Sequence, residues 1–103
     1  MAERVVERTL SDGGLSIHYR LERLGGDLLL TVTGGAAHVG CVVLATHRQS
    51  LTGSGADSAD SSVLNRSGHK DEFLLRALAE RLSAVAGCAV AAVGGVHLSL
   101  IHI

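Results

Sequence analysis

The sequence predicts an α+β domain: a mostly antiparallel sheet of about six strands with one long helix packed on one face. Three observations lead there. Short runs of alternating apolar and polar residues fill the first third of the chain. Glycine- and aspartate-rich pairs separate those runs, as hairpin turns require. Only the stretch after Ser67 spaces its leucines at helical intervals.

Residues 4–10, RVVERTL, read as a first strand, and SDGG after it as a turn suited to positive φ. Residues 15–24 alternate Leu15, Ile17, Tyr19 and Leu21 against Ser16, His18, Arg20 and Glu22, the pattern of a strand with one wet face. After GGD, LLLTVT at 28–33 completes an antiparallel meander. GGAAH at 34–38 breaks the pattern. VGCVVLAT at 39–46 is nearly all apolar and predicts a buried fourth strand. Residues 47–62 are rich in Ser, Gly and Asp and predict a mobile loop. A short fifth strand follows at 62–66. Leu75, Leu78, Leu82 and Val85 form the helical stripe, with Ser67 a candidate N-cap and Gly87 a candidate C′ residue. CAVAAVGG at 88–95 predicts a sixth, buried strand. A helix on one face leaves Val39, Val42 and Leu44 on the other, so a second subunit is expected there, making a homodimer.

Bulk properties narrow the function. A chain of 103 residues suits one domain. With 47% hydrophobic but only 2% aromatic residues, the core must be aliphatic, and no stacking platform for single-stranded nucleic acid is expected. The net charge of −1, with scattered Lys and Arg, lacks the basic stripe that holds a phosphate backbone. Cys41 and Cys88 lie far apart in apolar runs and form no CxxC pair, which points to a reducing, cytoplasmic setting. MAERVVER is too charged for a signal peptide, and no apolar run reaches membrane-spanning length.

The last six residues, LSLIHI, match a translation of the transposon end used to tag DNA in sequencing libraries, CTG TCT CTT ATA CAC ATC. Residues 1–97 are therefore read as the single domain and 98–103 as an adapter-derived scar, which leaves His102 without a role and a C-terminal helix truncated.

Among the histidines, His18 and His47 read as solvated. His38, His69 and His97 each stand beside glycine where a strand or helix begins or ends, in GGAAHVG, SGHKD and GGVH. Sheet edges gather such ends, and glycine lets a ligand approach the backbone. Three histidines suit zinc in number, but no HxH or HExxH spacing supports a site. Ser67 near His69 and Cys41 near His38 lack an activating arrangement. Two readings stand for SGHKDE. Either Lys70 is solvated while Asp71 and Glu72 offset the helix dipole, or the amides of Gly68, His69 and Lys70 cradle an anion such as phosphate.

TGGAAHVGCVVLA, then SSVLNRSGHKDE, then an amphipathic helix and VAAVGGVH, together resemble the LpdD-like prenylated-flavin chaperone family. The resemblance rests on a GG…HIG segment, matched by Gly34, Gly35, His38, Val39 and Gly40. It rests equally on a GHK[DE] segment, matched by Gly68, His69, Lys70 and Asp71, and on a GIH segment, matched by Gly95, Val96 and His97. It implies a fold similar to the proteasome-assembly chaperones, which tend to dimerise. It also implies a non-catalytic accessory subunit that helps a hydroxyarylic acid decarboxylase acquire or keep prenylated FMN, with a flavin prenyltransferase as donor. Motif and chemistry together nominate Gly34, Gly35, His38, Gly40, Ser67, Gly68, His69, Lys70 and His97 for the cofactor. The alternatives are a small histidine-dependent enzyme or metal-binding protein, and a purely structural dimerising module. A D-N-A-like continuation into a terminal helix is expected after His97, and LSLIHI stands instead.

Overall fold

A computed structural model describes residues 5–49, 57–66 and 72–96. Their elements run β1 (Val5–Asp12), β2 (Leu15–Leu24), β3 (Asp27–Gly34), β4 (Cys41–Gln49), β5 (Asp57–Asn65), α1 (Glu72–Ala86) and β6 (Val90–Val96). The six strands form one sheet in the order β1-β2-β3-β6-β4-β5. Every pairing is antiparallel except β3 with β6. The expected α+β class and strand number are therefore present.

The meander is held by its turns. Gly13 and Gly14 take φ of 59° and 85°, and two successive positive φ values match the right-handed twist of a hairpin. β6 then enters between β3 and β4, so the core is built from distant segments. Leu30 and Val32 of β3, Val90 and Ala92 of β6, and Cys41, Val43 and Ala45 of β4 are buried on one face with Leu75 and Ala79 of α1. α1 contacts β4, β5 and β6.

Three expectations need correction. The stretch at 47–62 is not one loop: β4 continues through His47 to Gln49, and β5 begins at Asp57. Polar residues suffice there because the strands pair with each other at the sheet's edge, Arg48 opposite Ser58 and Thr46 opposite Asp60. Arg48 Nε donates to Asp60 Oδ1 at 2.8 Å across that pair. The fourth strand is not buried throughout. Residues 39–40 precede it, and Leu44 is 49% exposed, because its odd positions face the core and its even positions face away. The helix is also rotated from the leucine stripe. Leu75, Ala79 and Ser83 are buried, while Val85 is 74% exposed. Close approach to the sheet favours the small side chains at i+4 and i+8. Ser83 satisfies its buried hydroxyl by donating to the Cys88 carbonyl at 2.6 Å. Gly87, at φ 70°, donates its N–H to the Ser83 carbonyl at 2.9 Å and ends the helix as a C′ residue should. The proposed N-cap Ser67 and the terminal helix after His97 fall outside the described residues.

Candidate functional site: the glycine-rich edge of the sheet

The register lines the ends of all six strands along one edge of the sheet. Asp12 pairs with Leu15, Ile17 with Gly34, Gly34 with Val96, Gly94 with Cys41, and Cys41 with Asn65. β3 and β4 flank β6, so residues 35–40 must cross the end of β6 to join them. Gly40 makes the crossing close. Its N–H donates to the Gly94 carbonyl at 2.8 Å, and its own carbonyl accepts from the Arg66 N–H at 2.8 Å.

This arrangement brings the flanks of the three glycine–histidine motifs to one place. The first motif, 34–40, lies on the edge itself. The described neighbours of the second, Arg66 and Glu72, bracket its five residues there: Asn65 Nδ2 donates to Glu72 Oε1 at 3.3 Å, and Arg66 NH1 donates to the Val39 carbonyl at 3.0 Å. The described part of the third motif ends at Val96, paired with Gly34. Ser67, Gly68, His69, Lys70 and His97 themselves lie outside the described residues.

His38 is held on two sides. A carbonyl can only accept, so Nδ1 carries a proton and donates it to the Ala36 carbonyl at 2.9 Å. The ring lies against Gly95. A Cβ added at Gly95 would stand 2.4 Å from Nε2, 2.8 Å from Cε1 and 2.9 Å from Cδ2 of His38. Gly34 and Gly94 are crowded as well. A Cβ at Gly34 would come 2.9 Å from Val96 Cγ1, and one at Gly94 only 1.8 Å from the Val32 carbonyl oxygen. At Gly34 and Gly95 the space beside the backbone is thus taken by the protein's own Val96 and His38. These glycines position an imidazole and seal the β3–β6 junction.

Arg66 is the residue that motif reading passed over. It ties the end of β5 to the 35–40 crossing through both its backbone and its guanidinium. Its position next to Ser67 was the only signal. His18 and His47 fall elsewhere, on β2 and β4. His18 is engaged: its Nε2 donates to Glu7 Oε1 at 2.9 Å, and its Nδ1 meets Thr9 Oγ1 at 2.9 Å. Cys41 is buried in the core, where a thiol packs as a small apolar group. Among the described residues no group of three His, Cys, Asp or Glu side chains could hold a metal ion, and no helix is long and apolar enough to cross a membrane.

Compared with known families, residues 11–102 match the prenylated flavin chaperone LpdD-like domain. The match spans all three glycine–histidine motifs and continues past His97. No curated protein matches the chain.

Proposed function

Because the chain belongs to the prenylated flavin chaperone LpdD-like family, we propose that it is a non-catalytic, cytoplasmic accessory subunit. It helps deliver or retain prenylated FMN for a partner hydroxyarylic acid decarboxylase, with a flavin prenyltransferase as donor. The observation that carries this reading is the shared edge: the described flanks of all three motifs meet where 35–40 crosses β6.

In this proposal the cofactor's phosphate sits on the amides of Gly68, His69 and Lys70, with Ser67 beside them and the Lys70 ammonium as counter-charge. His38, of fixed tautomer, and His97 supply imidazoles from the other two motifs. Gly34, Gly35 and Gly40 shape the crossing that carries His38. The donor set suits a phosphate-bearing flavin: amides, an ammonium and imidazoles all bind anions. The helix-free face of the sheet, where Leu44 and Leu64 are 49% and 76% exposed, is proposed as the homodimer contact.

The test incubates the purified protein with reduced prenylated FMN and follows co-elution, with and without the decarboxylase. Binding that falls about tenfold or more in Lys70→Ala and His69→Ala is expected, since each removes a charge-assisted contact. No binding under either condition sinks the proposal. Intact partner activation in both variants would favour the structural dimerising module instead. Stoichiometric zinc, iron or manganese in the purified protein, with an activity lost to chelator, would favour the metal-dependent enzyme.

A further inference from the structure

Ladder alternation fixes the side of the sheet that His38 occupies. Val90 and Ala92 of β6 are buried in the core with Leu75 and Ala79 of α1, and Val96 packs against the same cluster. The even-numbered positions of β6 thus face α1, and Ala91, Val93 and Gly95 face away from it. The His38 ring stands where a Gly95 side chain would be, its Nε2 2.4 Å from the position of the absent Cβ. The imidazole therefore lies on the helix-free face, above the end of β6. None of these placements depends on residues outside the described strands.

The imidazole borders the apolar half of that face. The next rung inward pairs Val93 with Val42 and Val42 with Leu64. The Ala91–Leu44 rung follows, about 13 Å from Gly95 at about 3.3 Å per residue. Toward β1 the rung of Gly95 is polar, running through Thr33, His18 and Thr9. The charges on this face are met within the chain. Glu7 meets His18 and Arg20, Arg20 meets Glu22, and Arg48 meets Asp60. Asp27 Oδ1 accepts from the Ala89 N–H at 3.0 Å. A face that neutralises itself offers a foreign partner no charge to select, and two copies can meet on it without opposing unpaired like charges. A second copy is the occupant that fits.

Sheets packed face to face lie about 10 Å apart. A second copy seated on the Val42, Leu44 and Leu64 rungs would turn the space above Gly95 into a slot between copies, with the His38 imidazole in it. An imidazole covered in this way needs hydrogen-bonding partners. Its Nδ1 donates to the Ala36 carbonyl, so Nε2 is an acceptor. The ring N–H groups and ribityl hydroxyls of a reduced flavin are donors of the matching kind. We infer that prenylated FMN binds at the His38 end of the subunit interface, partly covered by the second copy, so that dimerisation and cofactor binding strengthen each other. The coupling rests on the flavin reading and the homodimer contact proposed above, and adds that the two share one face. It is reciprocal: the factor by which the cofactor tightens the dimer is the factor by which the dimer tightens the cofactor.

The test is sedimentation of the full 103-residue chain over a range of concentrations, with and without reduced prenylated FMN under anaerobic conditions. The boundary gives the dimer dissociation constant, and flavin absorbance in the same runs gives cofactor binding. The cofactor should tighten the dimer at least about tenfold. Leu44→Asp and, separately, Leu64→Asp should give monomers that bind the cofactor more weakly by a like factor. Both replace exposed side chains, and circular dichroism checks that the fold persists. Val85→Asp, at a position 74% exposed on the α1 side, should change neither quantity. A dimer indifferent to the cofactor, a cofactor that splits the dimer, or monomeric variants that bind as tightly as the wild type overturns the inference and leaves the flavin reading standing. So does a wild-type chain that binds the cofactor as a monomer. Leucine variants that stay dimeric, or a dimer lost in Val85→Asp, overturn it too, because the contact then lies elsewhere. No cofactor binding by the wild-type chain sinks the flavin reading and the coupling together.

Discussion

Gly95→Ala tests whether the His38 ring is seated where the geometry puts it. The new methyl carbon would lie 2.4 Å from Nε2 and under 3 Å from two ring carbons, at 2.8 and 2.9 Å. Ordinary carbon contacts need about 3.5–4.0 Å. The ring must therefore move by about 1 Å or leave, and its bond to the Ala36 carbonyl goes with it. That bond is worth about 1 kcal/mol, and overpacking at such a site costs about 1–3 kcal/mol. Gly95 does not have a positive φ, so alanine there recovers about 0.4–1 kcal/mol from the unfolded chain. The net expectation is a loss of about 2 kcal/mol. Urea unfolding followed by circular dichroism measures it, together with the same substitution in a His38→Ala background. With the ring gone the three atoms nearest the methyl are removed, so Gly95→Ala should there be neutral or mildly stabilising. The coupling between the two positions should be about 2 kcal/mol, within the usual range for residues in contact. An equal loss in both backgrounds refutes the reasoning, because the cost then lies in the strand and not in the imidazole.

Gly94→Ala should be far worse and insensitive to His38: its Cβ would fall 1.8 Å from the Val32 carbonyl oxygen, at a φ of 146°. A loss above about 4 kcal/mol, or failure to fold, is expected by the same unfolding assay. Gly14→Ala, at φ 85° with nothing within 4 Å, should cost only about 1–2 kcal/mol, which separates backbone strain from collision. Ser83→Ala removes the hydroxyl that donates to the Cys88 carbonyl and should cost about 1–2 kcal/mol, read as a lowered urea midpoint with unchanged slope. Arg66→Ala frees the Val39 carbonyl while leaving the backbone bond to Gly40 intact. It should change stability by about 1 kcal/mol or less, since the bond is exposed. It should also speed amide exchange in residues 35–40, and unchanged exchange there would show that Arg66 does not brace the crossing.

Much of the meander was legible locally because adjacent strands and their turns are coded by neighbouring residues. Residues 15–24 alternate as a half-buried strand must, and the structure returns β2 with those bounds. Gly87 announced the end of α1 for the same reason. The stretch DSADSS looked like a loop because an edge strand with a polar outer face carries no apolar alternation. Only its pairing with Thr46, His47 and Arg48 makes it a strand. The leucines misled on the helix's rotation, since close packing against the sheet selects Ala79 and Ser83 over larger side chains. At the candidate site the glycine–histidine pattern was visible. That His38 would rest on Gly95, 57 positions away in sequence by their numbering, was not.

By itself the sequence determined the α+β class, the hairpin turns, the end of the helix, and family membership through three short motifs. Each depends on contacts within a few residues or on identities read directly. Tertiary structure decided that β6 lies between β3 and β4, that 35–40 crosses its end, and which half of the sheet α1 contacts. Those outcomes depend on which distant apolar faces pack together, and strand order is a property of the whole core that no single stretch of chain encodes.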